Sequence, residues 1–241
     1  MTVMPQDRGI ITAVILDIDG VVVDSPHERA WRDALEGLAD PERLTLAVYQ
    51  AYVAGKPRLA GARALLNHLS VPDADRLAGI YAERKQNRLQ ALIDAGEFTA
   101  FPDAIRFLRA VRQGQMPLAA ASSSKNANAM LARIALSPDT SLLNAFHVNV
   151  CGEDFARGKP DPQIFLTAAE RLGVAPTCCL VVEDAPSGIV AAKRGRMLAL
   201  GIGRHGESSL LQATGADLVV ANLDEVSVDA LVQGRLSARR G

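Results

Sequence analysis

Val14-Ile15-Leu16-Asp17-Ile18-Asp19-Gly20-Val21 decides how the rest of this 241-residue chain is read. The run from Ile10 to Leu16 is short, almost unbroken in apolar residues and rich in β-branched ones. It ends on acidic residues and a glycine. That pattern predicts a strand buried on both faces, with a loop at its carboxyl end. Open α/β sheets take their ligands at that end of the strands. Asp17 and Asp19 are therefore candidates for chemistry. The plainer reading is a strand followed by an Asp-Gly turn, since both residue types favour turns.

Working outward, the same pattern recurs. Pro117 to Ala121 is a second apolar strand, followed by Ser122-Ser123-Ser124-Lys125-Asn126 and a helix from Ala127 to Ala135. Serines at a helix start can simply cap it. With a lysine and an asparagine beside them they also form an anion cradle at the positive helix end. Phe146 to Val150 is a third strand. In Gly158-Lys159-Pro160, Lys159 is conformationally restricted by the proline after it, although a lone loop lysine is usually solvated. Cys178 to Val182 is a fourth strand, ending in Glu183-Asp184, and further strands fall at Met197–Gly201 and Asp217–Ala221. Between 25 and 98 no strand is expected. Glu28–Ala39, Pro41–Ala54, Arg58–Leu69 and Pro72–Asp94 all read as helices with mixed apolar and charged faces. Hinges are expected near Asp24–Pro26 and Gly96–Phe101. Pro102 opens the next helix, where Arg106, Arg109 and Arg112 suggest a solvated face. The tail from Arg235 is expected to fray.

Composition narrows the setting. Hydrophobic residues make up 49%, enough for a sizeable core, and the length suits one domain with an insertion or two domains. A formal net charge of −1 favours neither nucleic acid nor an acidic membrane surface as partner. No apolar stretch approaches the ~20 residues of a membrane span, and Met1 to Arg8 is too polar for a signal peptide. The cysteines, Cys151, Cys178 and Cys179, read as small core residues in a reducing, cytoplasmic setting. A monomer or weak dimer is expected. Gly201-Ile-Gly-Arg-His-Gly206 fits a dinucleotide fingerprint, with Asp224 downstream. It lies too near the end of the chain to begin a dinucleotide domain.

Asp17, Asp19, Ser122, Lys159, Glu183 and Asp184 all follow strands, or a nearby loop, of one expected sheet. Four crowded carboxylates repel unless a cation joins them. Oxygen ligands without His or Cys favour Mg²⁺. A cation, a lysine and a hydroxyl-plus-amide cradle make a phosphoryl-transfer site. One carboxylate can attack phosphorus and another protonate the leaving oxygen.

Asp17-x-Asp19-Gly-Val, the serine after the second strand, Lys159-Pro and Glu183-Asp184 resemble the four signatures of the haloacid dehalogenase-like superfamily. The resemblance implies an α/β fold: a Rossmann-like parallel sheet core (1–24 and 99–241) with an inserted α-helical cap domain (25–98). It implies Asp17 as nucleophile, Asp19 as general acid/base, and Ser122 and Lys159 on the transferring phosphate. Asp17, Glu183, Asp184 and the Asp19 backbone carbonyl would hold Mg²⁺. The presence of Asp19 places the chain with the phosphotransferase branch. Within it, Ser122-x-Ser-Lys125-Asn126, His27-Glu-Arg-Ala-Trp31, Gly55-Lys56-Pro-Arg58 and Lys85-x-Asn87 resemble the β-phosphoglucomutases, although Phe101-Pro-Asp103 replaces an aromatic-Pro-Gly. This implies a small sugar phosphate as partner, contacted by Gly20, His27, Trp31, Gly55, Lys56, Arg58, Lys85, Ser123, Lys125 and Asn126. The reaction implied interconverts β-glucose 1-phosphate and glucose 6-phosphate. A sugar-phosphate phosphatase shares every core residue and is the alternative. A non-catalytic sugar-phosphate binder is the third reading, and the paired aspartates argue against it.

Overall fold

The computed structural model describes residues 10–239. Met1–Arg8 and the last two residues of the expected tail lie outside it.

The chain opens with β1 (Ala13–Leu16), in which all four side chains are buried. A tight loop leads to the short β2 (Val23–Asp24). Four helices follow: α1 (His27–Asp33), α2 (Leu46–Tyr52), α3 (Arg58–His68) and α4 (Ala74–Asp94). The chain returns through β3 (Thr99–Ala100), antiparallel to β2, so both crossings to the helical block are stitched together. Then come α5 (Pro102–Gln113), β4 (Leu118–Ala120), α6 (Ala127–Arg133), β5 (Ala135–Ser137), β6 (Thr140–Ser141) and β7 (Val148–Asn149). The chain ends with α7 (Gln163–Leu172), β8 (Cys179–Glu183), α8 (Pro186–Arg194), β9 (Leu198–Ile202), α9 (Ser208–Ala213), β10 (Leu218–Val220) and α10 (Val228–Val232).

The main sheet has six parallel strands in the order β10-β9-β8-β1-β4-β7. The register sets the site. Leu16 lies beside Ala120 on one side and Val182 on the other. Asp17, Ala121–Ser122 and Glu183, the last residue of β8, therefore come together at one edge of the sheet. Apolar clusters on both faces of the sheet explain why these strands carry no alternation.

The helical block has its own core around Trp31, Leu35, Leu65, Leu66 and Tyr81. Tyr81 O–H donates to Trp31 O at 2.8 Å, and the two rings pack at 5.1 Å. Helix α4 serves two cores. Ala74, Ala78, Tyr81 and Ala82 pack within the block, whereas Leu89, Leu92 and Ile93 join the cluster against the sheet. Lys85 lies between the two groups.

Several local expectations are corrected. The helix expected over Pro41–Ala54 is broken, because two caps act in series. The Asp40 carboxylate accepts from Glu42 N at 3.0 Å, and Thr45 Oγ accepts from Val48 N at 3.3 Å, starting α2 afresh. α6 stops at Arg133, and a small β5–β6 hairpin turning at Pro138-Asp139 follows. Arg106, Arg109 and Arg112 are exposed, as expected of a solvated face, but their tips are also held. Arg106 forks onto Asp224, Arg109 donates to Leu136 O, and Arg112 donates to Ala145 O at 2.7 Å. The tail is paired as far as Arg239, whose N–H donates to Glu225 O at 2.6 Å. Cys151 and Cys179 are buried, but Cys178 is half-buried. No helix of the described residues is long and apolar enough to cross a membrane.

Candidate active site

One cavity of about 1090 Å³ lies between the carboxyl edge of the sheet and the helical block. Every candidate residue drawn from the sequence except Asn87 lines it. At its floor, Lys159 Nζ donates to Asp17 Oδ1 at 2.5 Å and to Glu183 Oε1 at 2.6 Å. All three side chains are buried. Glu183 Oε2 accepts from the backbone N–H groups of Asp184 and Ala185, both at 3.0 Å. Gly188 lies against Glu183, and a Cβ there would collide with its carboxylate. Gly20, at φ +83°, lies against Asp184 in the same way.

One ammonium does not balance these acids. Burial, with the Glu183 and Asp19 charges, raises the pKa of Asp17 to about 7, against the pull of Lys159. Burial and the charges of Glu183 and Asp17 likewise raise Asp184. Burial alone would lower Lys159, but Asp17 and Glu183 outweigh it and raise its pKa. Lys159 is therefore always an ammonium. The excess negative charge stays on the carboxylates. Oxygens of Asp17, Glu183 and Asp184 all lie within 4.8 Å of one another. The Asp184 carboxylate has no hydrogen-bond donor among the described residues. This donor set could hold a hard divalent cation such as Mg²⁺.

Asp19 stands beside this cluster. Ser122 Oγ donates to its Oδ2 at 3.1 Å and accepts from Ser124 N at 3.1 Å. Its Oδ1 is buried and makes no hydrogen bond among the described residues. His27 Nε2, from the first turn of α1, lies 3.4 Å from that oxygen and 3.3 Å from Ser124 Oγ. Lys85 Nζ lies 3.0 Å from His27 Nδ1 and over the Trp31 ring. Burial and the Lys85 charge lower the His27 pKa to about 4, against Asp19. Burial, then Arg58, lowers Lys85 to about 7, against Asp19. The imidazole is neutral near pH 7. With Lys85 as an ammonium, the ring accepts at Nδ1 and its proton sits on Nε2, facing Asp19 and Ser124.

At the other end, Arg58 Nη1 donates to Gln86 Oε1 at 2.5 Å, and Gln86 Nε2 donates to Asn126 Oδ1 at 3.3 Å. This chain ties the helical block to the serine loop.

A haloacid dehalogenase-like hydrolase profile matches residues 11–196. The chain belongs to the haloacid dehalogenase-like family. It is 33% identical to a β-phosphoglucomutase of Mycobacterium bovis, covering 90% of this chain and 91% of that one. It is also 31% identical to hexitol phosphatase A of Escherichia coli, over 89% and 92% of the two chains. A crystal structure of archaeal β-phosphoglucomutase from Pyrococcus sp. strain ST 04 matches with a TM-score of 0.74 and 32% identity. That match covers 92% of this chain and 99% of the other. This haloacid dehalogenase-like chain is thus an enzyme whose relatives are named as mutase and as phosphatase.

Some candidates differ in detail from their expected use. The Lys56 ammonium caps α2, donating to Ala51 O at 3.1 Å and Tyr52 O at 2.9 Å. Lys125 pairs with Asp154 at 2.7 Å on the surface. Asn87 is exposed and does not line the cavity; the turn of α4 presents Lys85 and Gln86 instead. Sequence reasoning gave Ser124 no role of its own and missed Gln86, Tyr49, Gln50 and Arg204. Ser124 stood inside the serine loop. Arg204 sat inside the Gly201–Gly206 pattern, and the others carried no motif.

Proposed function

We propose that this enzyme is a Mg²⁺-dependent β-phosphoglucomutase working through an aspartyl phosphate, with residues 25–98 acting as its cap. The observation that carries this reading is the approach of cap-borne His27 to Asp19, with Lys85 held behind it at His27 Nδ1. The cap thereby takes part in the chemistry as well as covering it. The names of the relatives support the same substrate class.

Bound between Asp17, Glu183, Asp184 and the Asp19 carbonyl, Mg²⁺ would neutralise charge on the transferring phosphoryl group. The Asp17 carboxylate attacks phosphorus and the bond to the sugar oxygen breaks. Asp19, held by Ser122, gives its proton to that oxygen. In the other half, Asp19 takes a proton from the free hydroxyl of β-glucose 1-phosphate, which attacks the aspartyl phosphate, restores Asp17 and gives the bisphosphate that the first half splits to glucose 6-phosphate. Lys159 fixes the free oxygen of Asp17 and steadies the phosphoryl charge. Arg58 is placed to grip the phosphate that is not being transferred, since its planar fork suits phosphate oxygens. Cap closure keeps water from the aspartyl phosphate. The free cysteines suit a reducing compartment such as the cytoplasm.

The phosphatase alternative is favoured by the likeness to hexitol phosphatase A. A product assay separates the two. With β-glucose 1-phosphate and Mg²⁺, with and without a glucose 1,6-bisphosphate primer, the mutase forms glucose 6-phosphate faster than free phosphate. Free phosphate without glucose 6-phosphate, even when primed, gives the phosphatase.

A further inference from the structure

Arg204 follows β9 and turns back beneath the loop that carries Asp19. Its Nε donates to Gly20 O and its Nη2 to Val21 O, both at 3.0 Å. Its Nη1 lies 3.2 Å from Asp103 Oδ1 and 3.0 Å from Asp103 Oδ2. The guanidinium carbon stands 3.8 Å from the centre of the Phe101 ring. The two charged side chains are only 10% and 8% exposed. Asp103 Oδ2 in turn accepts from Leu223 N at 2.7 Å. One planar group therefore joins the Asp19 loop, the return crossing at Phe101 and the first turn of α5. Through Asp103 it also reaches the turn after β10.

Two observations point past simple packing. Gly20 is the neighbour of Asp19, and it abuts the Asp184 carboxylate so closely that no side chain fits. The carbonyl that Arg204 holds thus belongs to the residue that spaces Asp19 from Asp184. Second, Phe101 N donates to Val22 O at 3.0 Å, so the Asp19 loop and the cap's return crossing are tied to each other. Arg204 grips both partners of that tie. On the Asp19 side chain itself, only Oδ2 is hydrogen-bonded among the described residues, by Ser122. The aim of the carboxyl group depends on its backbone.

We propose that Arg204, anchored by Asp103, is a positioning residue that holds Asp19 in line with the leaving oxygen. This rests on Asp19 being the general acid. Lysine keeps the charge at 204 but lacks the planar fork that reaches two carbonyls and a carboxylate together. Arg204→Lys is therefore compared with wild type in the full chain, with thermal midpoints checked. Single-turnover transfer to Asp17 is followed from glucose 1,6-bisphosphate, whose leaving oxygen needs a proton, and from p-nitrophenyl phosphate, whose leaving group does not. Arg204→Lys slows transfer from the sugar phosphate by about 10- to 100-fold, part of the ~10²–10⁴ that a general acid contributes, and from p-nitrophenyl phosphate by less than about threefold. In an Asp19→Ala background the same change adds little, because both act on one proton. Equal slowing with both donors, or full additivity with Asp19→Ala, overturns the proposal. If Arg204→Lys does not fold, Asp103→Asn replaces it, since that change keeps the acceptor for Leu223 and both carbonyl bonds. The same donor-selective slowing is expected, and its absence overturns the proposal. Wild type that transfers from p-nitrophenyl phosphate but not from the sugar phosphate overturns the mutase reading instead, and the Asp19 assignment is then retested with the sugar phosphate that is accepted.

Discussion

Mg²⁺ should stabilise this fold strongly at alkaline pH and hardly at all at acid pH. The perturbation is the addition of MgCl₂ to metal-free protein at about pH 8 and about pH 5. Asp17 has a folded pKa near 7 against an ordinary 3.8. A raised carboxyl pKa gives stability that is present below about pH 4 and lost as pH rises through 7. Asp184 is shifted the same way. Metal-free protein therefore carries its greatest strain of like charge above pH 7. There, Mg²⁺ at a hundred times its dissociation constant stabilises by about 2.7 kcal/mol. For a chain of this size that is a rise in Tm of roughly 5–11 °C. At about pH 5 the ion must displace the Asp17 proton, and its affinity falls about 10²-fold over two pH units. The same concentration then only matches the dissociation constant and gives ~0.4 kcal/mol, a shift of about 1–2 °C. Thermal unfolding followed by circular dichroism reads this directly. Asp184→Asn removes most of the shift at pH 8. An equal shift at both pH values, or none at pH 8, would refute the charge argument.

The other predictions concern turnover. Asp17→Asn removes the nucleophile and a metal charge together, so phosphoryl transfer is abolished; activity within about tenfold of wild type contradicts the assignment. Asp19→Ala leaves the fold and Mg²⁺ binding intact and slows sugar-phosphate turnover by roughly 10²–10⁴-fold, measured as kcat with calorimetry for the metal. Arg58→Ala lowers mutase flux by about 10²-fold, the loss of one charge-assisted phosphate contact of ~1.5–3 kcal/mol. It leaves p-nitrophenyl phosphate hydrolysis nearly unchanged, because that substrate has no second phosphate. Similar losses with both substrates would place Arg58 in the fold and not in the site.

The sheet and its acidic edge were legible because buried parallel strands write continuous apolar runs. Asp17, Ser122 and Glu183 follow such runs, and register alone brings them together. Lys159 was weaker by itself, a loop lysine whose burial only the three-dimensional fold reveals. His27, Arg58 and Lys85 were found through resemblance, since helical spacing gives no sign of which face meets the core. Gln86 was missed for the same reason: Asn87, its neighbour on α4, had the matching position but points to solvent. Arg204 sat inside a glycine pattern read for its backbone, and the pattern carries no hint that the side chain turns inward. The broken Pro41–Ala54 helix shows a different limit. Two capping residues in series outweigh a continuous amphipathic pattern, and the sequence alone does not say which cap wins.

The central claim is that Asp17 hands its phosphoryl group to a sugar and not to water. It is tested by loading the wild-type enzyme with β-glucose 1-phosphate labelled in the phosphate, with Mg²⁺ and primer, and quenching in acid at short times. The account predicts label first in a bisphosphate, then on the peptide that contains Asp17 and in glucose 6-phosphate, with inorganic phosphate trailing. Label that passes from Asp17 to inorganic phosphate alone, or that never reaches Asp17, contradicts it.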